Sequence, residues 1–374
     1  MPRLRFPRFS PKRVVITLTL IAALSVGVPH CADAVPIFAH EYALVCQKCH
    51  STIPALNAFG QAFLDHGYAL PGVTPKRVFP IATKENFAYS SEPDRSGLPK
   101  AVVDEVELFI AGTLGSRANY FIEQYVVDGG RHGSLRDAWL QYRFTSDTAK
   151  VPLSLQAGSF TLPLPVDPES FRETSSHYAV FDQTLGNNPF TFFKPKIGLQ
   201  ARIGSNTHGT SLRILALSGH DKQSGIPALG TDVMVFAQQS LGPMTFSAYE
   251  YTGRRTDAAT TDRFERHGFG ISYASRRWSS ETVVQTSRDT SIDGRGNAGS
   301  ASGGFSQVRY EFNRRFFALV RYDGTNDPID GFSRSLTPLL GFRVSHNSRF
   351  TLEDVITHVP QAKHVFNTQF TVAY

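Results

Sequence analysis

The strongest constraint on the fold of this chain is a two-residue alternation of apolar and polar side chains, which recurs from about residue 80 to residue 374. In 137–144, for example, the even-numbered residues are apolar, and all but one of the odd-numbered residues are polar. The same alternation runs through 307–313 and 366–374. Because successive side chains of a β-strand point to opposite faces, each segment is predicted to be a strand with one apolar and one polar face.

About sixteen such segments follow one another, most of them about ten to fourteen residues long. They are predicted to start near residues 80, 102, 118, 136, 151, 194, 209, 230, 244, 263, 277, 303, 315, 334, 349 and 363. Strands of this length and pattern are typical of transmembrane β-barrels, whose apolar face meets lipid and whose polar face lines a lumen. A secreted β-sandwich is the alternative, but its strands are usually shorter. We therefore predict an all-β barrel of about 16 antiparallel strands.

The connections between the predicted strands alternate in length, which favours the barrel. Short turns are expected at 115–117, 204–208, 241–243, 275–276 and 313–314, and longer loops near 221–229, 255–262 and 290–302. The longest loop, Leu164 to Lys194, is rich in aromatic residues and prolines and is expected to fold inward and narrow the lumen. A barrel of this size encloses a channel rather than a packed core.

Residues 1–34 have the composition of a secretory signal peptide. Five basic residues precede the apolar run 14–28, and Ala32-Asp33-Ala34 forms an A-x-A cleavage site. Without this segment the chain has 33 basic and 31 acidic residues, a net charge of +2. A nearly neutral chain has no electrostatic basis for binding nucleic acid, so we expect no nucleic-acid partner.

A C-x-x-C-H motif, Cys46-Gln47-Lys48-Cys49-His50, follows the signal segment. This is the attachment signature of c-type haem, in which both thiols bind the haem edge and the histidine ligates the iron. Cys31, the remaining cysteine, falls within the segment to be removed. We predict one covalent haem c, held by Cys46, Cys49 and His50, in a small α-helical module at 35–76 that precedes the barrel at 77–374.

A helix is predicted in this module over 55–64, with its apolar residues at helical spacing, and Gly67 is predicted to end it. The sixth ligand of the iron is open. Methionine is excluded nearby, since Met1, Met234 and Met244 lie in the signal segment and the barrel. His66 is the favoured candidate and His40 the second; a five-coordinate iron, a barrel residue and an external ligand remain alternatives.

Two acidic groups are weaker candidates for cation sites. One is Asp104, Glu105 and Glu107 on the second predicted strand, for which ordinary lumen polarity is the favoured interpretation. The other is the segment from Asp167 to His177 in the long loop, whose carboxylates and histidine suit hard cations such as Fe(II). For this segment, too, a structural role in the loop is favoured.

The chain resembles the fused cytochrome–porins of the bacterial outer membrane, whose best-known members serve extracellular Fe(II) oxidation. The resemblance rests on Phe38-Ala39, Cys46-x-x-Cys49-His50, Pro54-x-Leu56-x-x-x-Gly60-x-x-Phe63-x-x-x-Gly67-Tyr68, and the barrel segments 136–144 and 158–163. It implies a location in the outer membrane, with lipid around the barrel and the haem module on the periplasmic side or in the lumen. It also implies a periplasmic cytochrome and an extracellular metal ion or other redox donor as partners.

Three functions are compatible with these features. The leading one is one-electron transfer across the outer membrane through a haem that plugs the barrel, with iron:cytochrome c oxidoreductase activity as the enzymatic form. The alternative is a solute porin with a tethered periplasmic cytochrome module. The third, haem catalysis on peroxide or a nitrogen oxide, requires an open iron site and distal acid–base groups.

Overall fold

The computed structural model describes most of the chain after residue 35. The described residues are 36–52, 55–70, 73, 76, 81–93, 99–146, 149, 151–170, 172–205, 209–218, 229–257, 260–329, 331–358 and 362–373. The predicted signal segment 1–34, with Cys31, lies outside them. Within these ranges, no helix has the length and apolarity needed to cross a bilayer.

The described strands close into one antiparallel barrel. They are β3 (Ile81–Pro93), β4 (Pro99–Leu114), β5 (Ala118–Asp128), β6 (Arg131–His132), β7 (Leu135–Arg143), β8 (Leu153–Phe160), β9 (Lys196–Gly204), β10 (Gly209–Ser218), β11 (Leu229–Leu241), β12 (Met244–Asp257), β13 (Thr260–Ala274), β14 (Trp278–Asp289), β15 (Gly299–Glu311), β16 (Phe316–Asp327), β17 (Gly331–Arg343), β18 (Ser348–His358) and β19 (Ala362–Ala373). Each strand pairs with its neighbours in the sequence, and β19 pairs with β3 to close the cylinder.

β6 and β7 are two parts of one strand. Both pair with β5 in one register, and backbone hydrogen bonds of Gly133 and Ser134 to β5 join them. The register shifts by one residue only at Arg136, between the pairs Gln124–Leu135 and Glu123–Asp137. A Cβ atom at Gly133 would lie 2.4 Å from the Tyr125 carbonyl oxygen, so the close approach of the two strands here requires glycine. Counted this way, the described barrel has sixteen strands, as predicted, and each starts within about five residues of its predicted position.

The alternation predicted from sequence is also confirmed. In β7 and just beyond it, Leu140, Tyr142 and Phe144 are 47%, 42% and 50% exposed, whereas Gln141 and Arg143 are buried. The exposed apolar side chains form the outer surface and the polar ones face the lumen. Trp139, the exception to the alternation, is buried on the lumen side.

The connections confirm the expected asymmetry with one correction. The short turns predicted between β4 and β5, β11 and β12, and β13 and β14 all lie at one end of the barrel, called here the short-turn rim. The long loop predicted near 255–262 is wrong, because β12 and β13 remain paired as far as Asp257 and Thr260. Most of the predicted loop 221–229 lies outside the described residues.

The longest loop folds into the lumen, as expected. Arg321 of β16 donates to Thr174, Ser176 and His177 of the loop, and Glu353 of β18 accepts from Ser175 and Ser176. These two strands lie far along the sheet from β8, where the loop begins. The short helix α4 (Ala179–Asp182) lies within the loop and packs against β15 and β16.

The segment 36–70, called here the N-terminal module, has less helix than predicted. It contains α1 (Pro36–Tyr42), α2 (Cys46–Cys49), the strand pair β1 (His50–Thr52) and β2 (Ala55–Leu56), and α3 (Ala58–Asp65). The predicted helix 55–64 begins three residues late because Asn57 caps it: its backbone is extended, and its side-chain oxygen accepts from Gly60 N. Gly67, at φ +63°, ends the helix as predicted.

Candidate functional site

The C-x-x-C-H segment forms one helical turn followed by a strand residue. Cys49 and His50 are each 8% exposed, and His50 pairs with Leu56 of β2. The Cys49 thiol is free, and burial raises its pKa to about 11. The side chain of Cys46 lies outside the described part of the structure.

Asn57 and Gly60 hold α3 against this turn. The Asn57 backbone N–H donates to Cys49 O at 2.8 Å, and its side-chain amide donates to Gln47 O and Lys48 O at 3.2 and 3.1 Å. A Cβ atom at Gly60 would lie 2.1 Å from Cys49 O, so only glycine permits this approach. Neither the contact of Asn57 nor that of Gly60 with this turn was predicted from the sequence. The three-residue spacing of Asn57 and Gly60, which fits a helix N-cap, is the signal that could have indicated the first.

An aromatic cluster docks the N-terminal module onto the barrel wall. The Tyr68 ring stacks on Phe38 at 4.3 Å within the module, and on Phe121 and Trp139 of the wall at 5.6 and 6.2 Å. Gly67 lies so close to the wall that a Cβ atom would meet Asn119 Nδ2 at 2.1 Å. The module is therefore packed inside the lumen rather than outside it.

The module lies toward the short-turn rim. Phe121 is the fourth residue of β5, and its cross-strand partner Trp139 is four residues from the end of β7 that lies at this rim. Gln47 Nε2 is 2.5 Å from Nδ1 of His346, a residue of the turn between β17 and β18.

A cavity of about 800 Å³ lies between the module, the barrel wall and the long loop, with Cys49 and His50 in its wall. The apolar part of the wall includes Phe63, Tyr68 and Trp139, and the long loop contributes residues 161–167. The cavity also reaches turn residues of the short-turn rim, including Gly242 and Arg276. Its volume is in the range of cofactor and small-molecule sites.

The structure does not bring both flanking histidines to this cavity. His66 caps the end of α3, with Nδ1 2.6 Å from Ala62 O, and it is absent from the cavity wall. The His40 side chain lies outside the described residues. Among the described side chains that line the cavity, His50 is the one histidine, and methionine is absent.

The two acidic groups considered as cation sites are tied to basic or amide partners. Glu107 pairs with Lys84 at 2.6 Å, and Glu105 accepts from Asn86. In the long loop, Glu169 pairs with Arg136, and Glu173 pairs with Arg309 at 2.8 Å. His177 lies 3.5 Å from Asp182.

Over the described part of the chain, no three His, Cys, Asp or Glu residues are grouped so as to hold a metal ion. The ion pairs of Glu107 and Glu173 fit the structural role that was favoured for both acidic groups.

Comparisons with solved structures show the porin fold. An anion-selective porin from Comamonas acidovorans matches with a TM-score of 0.60 and 11% identity over 79% of this chain and 98% of that one. Salmonella typhi OmpF, in complex with daunomycin, matches with 0.60 and 13% over 79% and 97%. A loop-deletion mutant of the outer-membrane protein OmpT of Vibrio cholerae matches with 0.55 and 9% over 79% and 98%. The chain matches no protein-family model and no curated protein.

The residues around the cavity fit a covalently attached haem. Cys49 and His50 supply a thiol and an imidazole side by side, and an apolar wall of phenylalanine, tyrosine and tryptophan faces the same space. The hydrogen bonds of Asn57 to Gln47 O, Lys48 O and Cys49 O hold this turn against α3.

Proposed function

We propose that this chain is a porin-type protein of the bacterial outer membrane that carries one haem c in its lumen and transfers single electrons across the membrane. The observation that most directly supports this function is the position of Cys49 and His50 in the wall of the 800 Å³ lumenal cavity. Cys46, Cys49 and His50 would hold the haem, which would supply a one-electron redox centre. In this proposal, residues 1–34 are the signal peptide, 35–76 the haem module and 77–374 the barrel.

The chain's own residues support this function in two ways. Tyr68, Phe121 and Trp139 hold the module against the wall and keep the apolar side of the cavity dry. The inward loop, held by Arg321 and Glu353, narrows the lumen on the other side of the cavity. Together they limit leakage of water and ions while keeping the centre inside the barrel.

The position of the module near the short-turn rim determines from which side of the membrane each redox partner would reach the haem. The short-turn rim is the periplasmic side in barrels of this type, so a soluble periplasmic cytochrome is the expected partner there. The bilayer core is about 30 Å thick, so a donor must enter the outer part of the lumen to reach one centre near the rim. An extracellular metal ion such as Fe(II) is small enough to do so, and the activity would be that of an iron:cytochrome c oxidoreductase.

A solute porin with a tethered cytochrome module is the second candidate function. The fold comparisons favour it, since the matched proteins include porins and share the barrel alone with this chain. Under this function the module would leave the lumen, or leave a path beside it, to let solutes pass.

The test uses the full chain produced in a host that attaches haem c. Intact cells receive Fe(II) in a form that cannot cross the membrane, and the haem α-band is followed, with Cys49→Ala as the haem-deficient control. Prompt reduction supports electron transfer. A haem that dithionite reduces but external Fe(II) does not, together with large steady channels in planar bilayers, would favour the solute porin.

A further inference from the structure

Two arginines face each other directly inside the barrel, in the wall of the haem cavity. Arg202 of β9 and Arg213 of β10 are cross-strand partners, and both line the cavity together with Cys49 and His50. Arg202 is 7% exposed. Directly opposed residues of a sheet have Cβ atoms about 5 Å apart, so both guanidinium groups can reach the same small, flat molecule.

The pair lies near the short-turn rim. The strand register places Arg202 and Arg213 level with Ser154 of β8 and Arg143, the last residue of β7. Positive charge is therefore concentrated at the end of the cavity that is nearest the proposed periplasmic partner.

An acidic group occupies the deeper part of the same cavity. Glu123 of β5 and Asp137 of β7 are also direct cross-strand partners, and both line the cavity with Glu107. Asp137 lies six residues from Arg143 along β7, roughly 20 Å at the usual rise of a strand. Glu107 is paired with Lys84, whereas the Arg136 nitrogen nearest to Glu123 is 4.0 Å away.

We propose that Arg202 and Arg213 bind the two propionate carboxylates of the haem and turn that edge of the ring toward the short-turn rim. This inference rests on the proposed function. The guanidinium fork matches a carboxylate with two hydrogen bonds, and two adjacent arginines match two carboxylates on one edge of a flat molecule. The acidic group repels the same edge from the deeper end of the cavity. The Arg213 guanidinium carbon also lies 5.7 Å from the Phe236 ring centre, which restricts its position.

The test is a redox titration of the full-length holoprotein in detergent, comparing wild type with the double variant Arg202→Gln/Arg213→Gln. Removing positive charge beside the carboxylates leaves them to stabilise ferric iron. At a fixed electrode potential near the midpoint, the ratio of ferrous to ferric haem should therefore fall about tenfold, equivalent to about 59 mV for a one-electron couple. The single variants, which are less disruptive to the barrel, should each show roughly a threefold fall.

Arg349→Gln is the matched control. Arg349 is also an inward-facing, buried arginine near the same rim, but it is outside the wall of the large cavity, so its removal should change the ratio less than twofold. Lysine at both positions keeps the charge and should restore most of the wild-type ratio. If the haem-loaded glutamine variants titrate like wild type, the assignment of the two arginines is wrong, and the proposed function is not affected. A wild-type chain without covalent haem, seen as no mass increase and no α-band, would overturn the proposed function and the inference with it.

Discussion

Replacing Tyr68 with alanine should release the N-terminal module from the barrel wall without unfolding the barrel. The Tyr68 ring contacts four other rings, with centroids at 4.3 Å (Phe38), 5.6 Å (Phe121), 5.7 Å (Phe63) and 6.2 Å (Trp139). Two of these rings belong to the wall. Tyr68 has a positive φ of 60°, and alanine would keep that strain, so the difference reports the ring alone.

The size of the effect follows from these contacts. Two aromatic pairs with the wall contribute about 0.5–1.5 kcal/mol each beyond area burial, and truncating a large buried aromatic costs about 3–5 kcal/mol in all. Tyr68 is only partly buried, so we expect its loss to weaken the docking of the module by about 3 kcal/mol, the lower end of this range. At 1.4 kcal/mol per factor of ten, the ratio of docked to undocked module should fall about a hundredfold.

Limited proteolysis of the purified protein measures this ratio. Trypsin can cleave at Lys48 and Lys76, and under conditions of rapid reclosing the rate follows the population of the open state. Cleavage in the module of Tyr68→Ala should therefore be about a hundred times faster than in wild type. Tyr142→Ala is the control, because this tyrosine is 42% exposed on the outer face of β7. Equal cleavage rates in all three proteins would refute the docking argument.

Three further predictions concern the module. Gly60→Ala should lower the yield of covalent haem severalfold by pushing α3 away from Cys49 O, whereas Gly324→Ala, where a Cβ has 3.8 Å of room, should not. Burial raises the pKa of Glu41 to about 7 from about 4.5, so its contribution is fully present below pH 4.5 and is lost as the pH rises through 7. The module of Glu41→Gln should therefore dock more tightly than that of wild type at pH 8, measured by proteolysis. His66→Ala should leave the haem spectrum unchanged, because His66 lies outside the cavity wall.

Each of these three predictions can be contradicted by a specific result. Equal haem yields in Gly60→Ala and wild type would show that the module tolerates a wider gap at the Cys49 turn. Docking that strengthens with rising pH would reverse the sign worked out for Glu41. A change from low-spin to high-spin haem in His66→Ala would mean that the histidine moves into the cavity when haem is bound.

The strands of the barrel were predictable because their pattern is local. A side chain in a strand faces either lipid or lumen, so a two-residue period in the sequence directly states which face each residue occupies. The capping of α3 shows the limit of this reasoning. The apolar spacing of 55–64 suited a helix, but the hydrogen bond that the Asn57 side chain accepts from Gly60 N places the start of the helix at Ala58.

The sequence by itself determined a barrel of sixteen strands, the inward-folding loop and the C-x-x-C-H motif, since each depends on residues that are close together in the chain. Only the tertiary structure decided that Tyr68 stacks on Phe121 and Trp139, that Arg202 faces Arg213, and that all of them share a cavity with Cys49 and His50. Arg202 and Arg213 are eleven positions apart, and the other contacts join residues more than fifty positions apart. Their partners are set by the register and closure of the sheet, which no local pattern of side chains records.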